Sequence, residues 1–102
     1  MNAVLEKQKE SVLALCQQYH VACLEVFGSA ASGEFDPARS DLDFLVRFHP
    51  ATPEEHADRY FGLLAGLQDL FCRHIDLVEI NAVENPYFLQ AIGPSRTVVY
   101  GN

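Results

Sequence analysis

A helix-length amphipathic segment stands between two strand-length apolar runs in the middle of this chain, and that order frames the rest. Thr52-Pro53-Glu54-Glu55 supplies an N-cap, a proline at the first helical position and acidic residues for the first turn, so a helix is predicted from there to about Phe71. Phe61, Leu64, Leu67, Leu70 and Phe71 give it an apolar stripe. Before it, Asp41-Leu42-Asp43-Phe44-Leu45-Val46-Arg47-Phe48 alternates polar with apolar and then turns apolar, as a strand does when it runs from a solvent rim into a core. After it, residues 73 to 80 have the length of a further strand, with Ile75, Leu77 and Val78 inward.

The flanks follow the same logic. Val4, Leu5, Val12, Leu13, Leu15 and Cys16 recur at helical spacing, which predicts one covering helix from about Asn2 to Tyr19. Val21 to Phe27 is short and mostly apolar and stops at Gly28-Ser29, the profile of a buried strand ending in a turn. Residues 30 to 40 carry turn formers, with room for one helical turn before a loop. Asn85-Pro86 opens a last short helix through Ile92 that Gly93-Pro94 should end, and Thr97 to Tyr100 should add an edge strand.

At 102 residues with 49% hydrophobic content, the chain suits one core, so a single domain over residues 1–102 is expected. No apolar run approaches the roughly 20 residues that span a bilayer. The N-terminus lacks a basic segment followed by an apolar run, so a cytoplasmic protein with no membrane partner is expected. Cys16, Cys23 and Cys72 are an odd count without C-x-x-C pairing, which reads as reduced, mostly buried thiols. A formal charge of −7 argues against direct nucleic-acid binding, which draws its affinity from Lys and Arg on phosphates. An acidic surface suits a basic protein partner, and acidic clusters suit hard cations such as Mg²⁺.

The chemistry should lie where Phe27-Gly28-Ser29 is followed by Asp41-Leu42-Asp43, with Asp76 on a later strand. Residues two apart on a strand face the same side, so Asp41 and Asp43 would project together. Carboxylates held that close repel unless a cation lies between them, and aspartate oxygens are preferred Mg²⁺ ligands. Asp76, on a neighbouring strand, could complete a two-metal site with ions roughly 3.5–4 Å apart. Gly28 would let the backbone approach phosphate, Ser29 would supply a hydroxyl, and the amides beyond would face the β- and γ-phosphates. Neither a Gly-Lys-Ser loop nor a G-x-G-x-x-G turn occurs, so P-loop and dinucleotide folds drop out.

Each part has a plainer reading. An Asp-x-Asp at a strand edge is often a solvated rim, Gly-Ser after a strand is often only a turn, and Asp76 could be the polar member of a half-exposed strand. It is their ordered co-occurrence that points to a site. His20, His49, His56 and His74 show no metal-ligand spacing, although His74 precedes Asp76 by two and could share its face. Arg39, Arg47, Arg73 and Arg96 are scattered, with surface roles as the default and one of them free to bind triphosphate.

With these residues in view, the sequence resembles the minimal nucleotidyltransferase (MNT) family of the polymerase-β-like superfamily. The resemblance runs through Phe27-Gly28-Ser29, Gly33, Ser40-Asp41-Leu42-Asp43-Phe44-Leu45-Val46 and Ile75-Asp76-Leu77-Val78, and the tail from Asn85-Pro86-Tyr87-Phe88 to Tyr100 is also similar. It implies an α/β (α+β) fold, a mixed sheet flanked by helices, in the manner of a polymerase-β-like nucleotidyltransferase palm. It implies ATP as substrate with Gly28 and Ser29 at the triphosphate, and Asp41, Asp43 and Asp76 as catalytic and metal-binding residues for Mg²⁺, two ions in all. It further implies an antitoxin that pairs with a HEPN-domain ribonuclease toxin in a hetero-oligomer and transfers AMP onto a toxin hydroxyl, a tyrosine. Two departures stand out: eleven residues separate Ser29 from Asp41 where the family usually has ten, and Ser32 stands where the family often has Arg. The rival functions are an antitoxin that acts by binding alone and a nucleotidyltransferase for a small molecule.

Overall fold

In the computed structural model, residues 3–28, 41–83 and 85–101 are described. Two helices, α1 (Ala3–Lys7) and α2 (Lys9–Gln18), precede strand β1 (Val21–Phe27). Strand β2 (Leu42–Phe48), helix α3 (Pro53–Phe71) and strand β3 (Ile75–Glu79) form the central unit, and α4 (Pro86–Ile92) and β4 (Thr97–Gly101) close the chain. The sheet order is β3-β2-β1-β4. β1 pairs antiparallel with both β2 and β4, whereas β2 and β3 run parallel, so the sheet is mixed. A parallel pair needs a long crossover, and α3 supplies it.

Alternation along each strand sends one set of side chains to the helices. Leu24 and Val26 of β1, Leu42, Phe44 and Val46 of β2, and Ile75 and Leu77 of β3 join Leu5, Val12, Cys16, Leu63, Leu67 and Phe71 in one buried cluster. The opposite set carries Glu25 and Phe27 on β1, Asp43 and Leu45 on β2, and Asp76 and Val78 on β3. α2 and α3 approach closely because α3 offers Gly62 and Gly66, one turn apart, to Tyr19, the residue just after α2, and to Leu15 of α2; a Cβ on Gly66 would lie 2.7 Å from Leu15 Cδ2. Burial, with a smaller contribution from Cys23, pushes the Cys16 thiol up to about 12, so it packs as a neutral apolar group. Cys16 and Cys23 are buried and Cys72 is exposed, all three as free thiols.

The start of α3 is as predicted. Thr52 Oγ1 accepts the Glu55 amide and Glu55 Oε1 accepts the Thr52 amide, both at 3.2 Å, a reciprocal capping box. Thr52→Ala should cost about 1 kcal/mol, read as a fall in the urea midpoint with an unchanged slope.

Six expectations need adjustment. Phe61, assigned to the apolar stripe of α3, is 64% exposed, and Leu63 is buried instead. Val78 lies on the face of β3 opposite Ile75 and Leu77, because successive side chains alternate. The first helix is broken at Gln8, whose φ of −106° and ψ of 11° interrupt the turn; no capping side chain bridges the break. The second strand begins at Leu42, leaving Asp41 just outside it. The third begins at Ile75 rather than Arg73, and Ile80–Ala82 winds into a 3-10 turn. Gly93-Pro94 does not end the last helix abruptly, because Gly93–Ser95 continues as a 3-10 turn. The predicted turn and loop of residues 30–40, and Ser29 with them, lie outside the described residues. Among the described residues no helix is long and apolar enough to cross a membrane.

Candidate active site

The parallel pairing of β2 with β3 sets Asp43 directly across from Asp76, and the antiparallel pairing of β1 with β2 sets Phe27 across from Asp43. Gly28 therefore leaves β1 beside the carboxylate pair. Two bonds hold this register. The Leu42 amide donates to the His74 carbonyl at 3.3 Å, tying the starts of β2 and β3 together. The Tyr60 hydroxyl donates to the Leu77 carbonyl at 2.6 Å, pinning β3 to α3 one residue past Asp76. Burial raises the Tyr60 phenol, with the charges of Glu79 and Asp76 adding to it, so it stays a neutral donor.

Asp43 is half-buried while Asp41 and Asp76 are exposed. The Asp43 carboxyl is held above its ordinary range, first by burial, then by the charges of Asp76 and Asp41, and further by a hydrogen bond with Asp76; His74 acts in the other direction. Two acidic side chains facing each other across paired strands repel, and a shared proton or a cation between them relieves it. Asp41 adds its charge from the strand's edge, where its Oδ2 lies 3.5 Å from His74 Nδ1. Among the described residues no three His, Cys, Asp or Glu side chains converge as a ready-made metal cluster. The donor set nevertheless fits a hard cation at the Asp43–Asp76 pair, because both are oxygen donors and their mutual repulsion is what a divalent ion relieves.

Gly28 has a φ of 72°, the left-handed region, and a Cβ there would lie 2.7 Å from Asp43 Oδ2. The space that a side chain would take is filled by the carboxylate. Gly28→Ala should therefore cost about 1–2 kcal/mol for the backbone and displace Asp43 as well, lowering both the melting temperature and any nucleotide affinity measured by calorimetry. The Gly28 amide itself is already engaged, donating to Ser95 Oγ at 3.2 Å.

The sequence-predicted residues thus separate into three groups. Asp43, Asp76 and Gly28 come together, Asp41 stands at the margin with His74, and Ser29 lies outside the described residues. Sequence reasoning missed Ser95, which is 67 positions from Gly28, and no spacing pattern could have found it. It also left Arg96 unplaced. Arg96 donates from Nη2 to Glu25 Oε2 at 2.7 Å and from Nε to Glu25 Oε1 at 3.3 Å, a two-pronged pair that fixes the start of β4 on β1. A cavity of about 140 Å³ bounded by Cys23, Glu25, Leu45, Arg47, Ile80 and Arg96 includes this pair and none of Asp41, Asp43 and Asp76. His56 bonds both Glu79 oxygens at 2.8 Å, with its ring against Phe48.

The mixed sheet thus sets two facing aspartates beside a glycine turn. The chain belongs to the nucleotidyltransferase domain family, whose model matches residues 6–97. It is 36% identical over 89 residues to a Methanocaldococcus jannaschii protein bearing the name "Putative protein adenylyltransferase", a match covering 87% of this chain and 84% of the relative. A solved structure described as a minimal nucleotidyltransferase superposes with a TM-score of 0.70 at 31% identity, over 91% of this chain and 90% of the other. A solved complex of a tri-AMPylated Shewanella oneidensis HEPN toxin with its MNT antitoxin matches with a TM-score of 0.66 at 14% identity, over 95% of this chain and 72% of the matched one, which is a likeness of fold.

Proposed function

We propose that this chain is a Mg²⁺-dependent protein adenylyltransferase that moves AMP from ATP onto a hydroxyl, a tyrosine, of a partner HEPN ribonuclease toxin and silences it as its antitoxin. The observation that carries the reading is the Asp43–Asp76 pair, set face to face by the β2–β3 register next to Gly28. It is supported by membership of the nucleotidyltransferase domain family, by the name of the archaeal relative, and by the AMPylated toxin in the Shewanella oneidensis complex.

In the reaction the acceptor oxygen attacks the α-phosphorus, the bond to the bridging oxygen breaks, and pyrophosphate leaves. Asp43 and Asp76, with Asp41 swung in from His74, would hold Mg²⁺, two ions in the full site, which when bound neutralise charge on the triphosphate. Asp76, exposed on β3, would take the proton of the acceptor hydroxyl. Asp43, less exposed and lying where a Gly28 side chain would be, would be the fixed ligand against which the others are set. Ser29 would anchor the phosphates.

The test is to co-express the chain with the product of its neighbouring gene, add ATP and Mg²⁺, and record the partner's intact mass. Gain of whole AMP units is the expected result. A stable complex with unchanged mass would replace catalysis by occlusion, and AMP transfer to a small molecule instead of a protein would replace the substrate class.

A further inference from the structure

Ser95 ends the 3-10 turn after α4, and its hydroxyl is committed at both ends. It donates its single proton to the Ile92 carbonyl at 2.9 Å and accepts the Gly28 amide at 3.2 Å. The donor side is thus locked within the turn, which leaves a lone pair aimed at Gly28. The turn has its own anchors on β1, independent of this bond. Arg96 grips Glu25, and the Phe88 ring meets Phe27 edge-on at 5.9 Å and 87°. Glu25 and Phe27 share the face of β1 that looks toward Asp43, so the hydroxyl reaches Gly28 from a fixed base.

Gly28 is the residue at which this matters. Glycine populates positive and negative φ about equally, so nothing in its own chemistry selects 72°. Asp43 Oδ2 forbids a side chain there but does not orient the peptide. The Ser95 hydroxyl does.

We propose that Ser95 is a positioning residue of the nucleotide site: by holding the Gly28 amide it fixes the orientation of the Gly28 peptide beside Asp43. This rests on the proposed function, which places a nucleoside triphosphate at Gly28. Without the hydroxyl the Gly28 peptide samples several orientations, and ATP binds only the fraction that is competent, so affinity falls by that fraction while chemistry after binding is little changed.

The test uses Ser95→Ala, Ser95→Thr and, as a control of similar stability loss remote from the site, Thr52→Ala. ATP with Mg²⁺ is titrated into each by calorimetry, and the Gly28 amide exchange rate is followed by NMR. Ser95→Ala should raise the ATP Kd about five- to tenfold, the worth of one hydrogen bond, and speed Gly28 exchange. Ser95→Thr should restore both, and Thr52→Ala should change neither. In the transfer assay the KM for ATP should rise by the same factor, with kcat changed by less than about twofold. An unchanged Kd in Ser95→Ala beside a wild type that binds ATP overturns the inference alone. A Kd that rises equally in Thr52→Ala reduces Ser95 to a structural contact. A wild type that binds no ATP removes the functional reading and the inference together.

Discussion

Replacing Asp43 with asparagine should cut AMP transfer by at least about a hundred- to thousandfold while raising, not lowering, the melting temperature of the metal-free protein. The activity loss follows from removing one of two facing oxyanions that would hold the cation. The stability gain follows from the same geometry, because Asp43 is half-buried, faces Asp76 and feels Asp41, and each effect disfavours its charge. The pH dependence has a definite sign. A carboxyl whose folded-state pKa is raised binds its proton more tightly when folded, so its contribution to stability is fully present below its unfolded value of about 4 and is lost as pH rises through the elevated folded value. Metal-free wild type should therefore lose stability over that window, Mg²⁺ should restore it at neutral pH, and Asp43→Asn should flatten the curve. Thermal melts of both proteins across pH 4 to 7, with and without Mg²⁺, read this directly. A melting temperature that falls in Asp43→Asn would make the pair a structural contact rather than a strained site.

Phe44→Ala should be the most damaging core substitution near the site. The ring is fully buried and packs against Phe71 with centroids 6.3 Å apart. Truncating a buried phenylalanine costs about 3–5 kcal/mol, a large share of the 5–15 kcal/mol that holds a domain of this size together. The expected fall in melting temperature is on the order of 15–30 °C. Because Phe44 follows Asp43 on β2 and points to the opposite face, the folded fraction should also bind ATP more weakly than wild type. Chemical denaturation gives the first quantity and calorimetry below the new transition gives the second. A loss under about 1 kcal/mol would mean that the cluster between β2 and α3 repacks around the gap.

Much of this architecture could be read in the residues. The Thr52 N-cap and the strand-like run of residues 41–48 are local signals, each set by neighbours within a few positions, and the structure reproduces them from Thr52 and from Leu42 on. The stripe of α3 was legible only in part: Leu67 and Phe71 are buried, but Phe61 is exposed and Leu63 is buried instead. The break at Gln8 was not legible, because apolar spacing continues across it and no Gly or Pro marks the place. The late start of β3 at Ile75 has a similar cause: Arg73 and His74 are compatible with a strand, and pairing with Leu42 decides where the ladder begins. Of the site, the sequence offered the aspartates and the glycine as a set.

What the chain order could not contain was register and reach. Asp43 meets Asp76 because β2 and β3 are parallel neighbours aligned residue for residue, a property of pairing that no spacing of 33 positions encodes. A shift of one residue would send one of the carboxylates into the core. The sequence by itself determined which residue types were on hand for nucleotidyl transfer: carboxylates at strand starts, and a glycine where β1 ends. Only the tertiary structure decided that Asp43 would be the half-buried member with the raised carboxyl, that Gly28 is required by Asp43's own oxygen, and that Ser95 and Arg96 brace β1 from the far end of the chain. Local propensities act through neighbours along the chain, whereas burial, like-charge contact and long-range hydrogen bonds exist only once the strands are side by side.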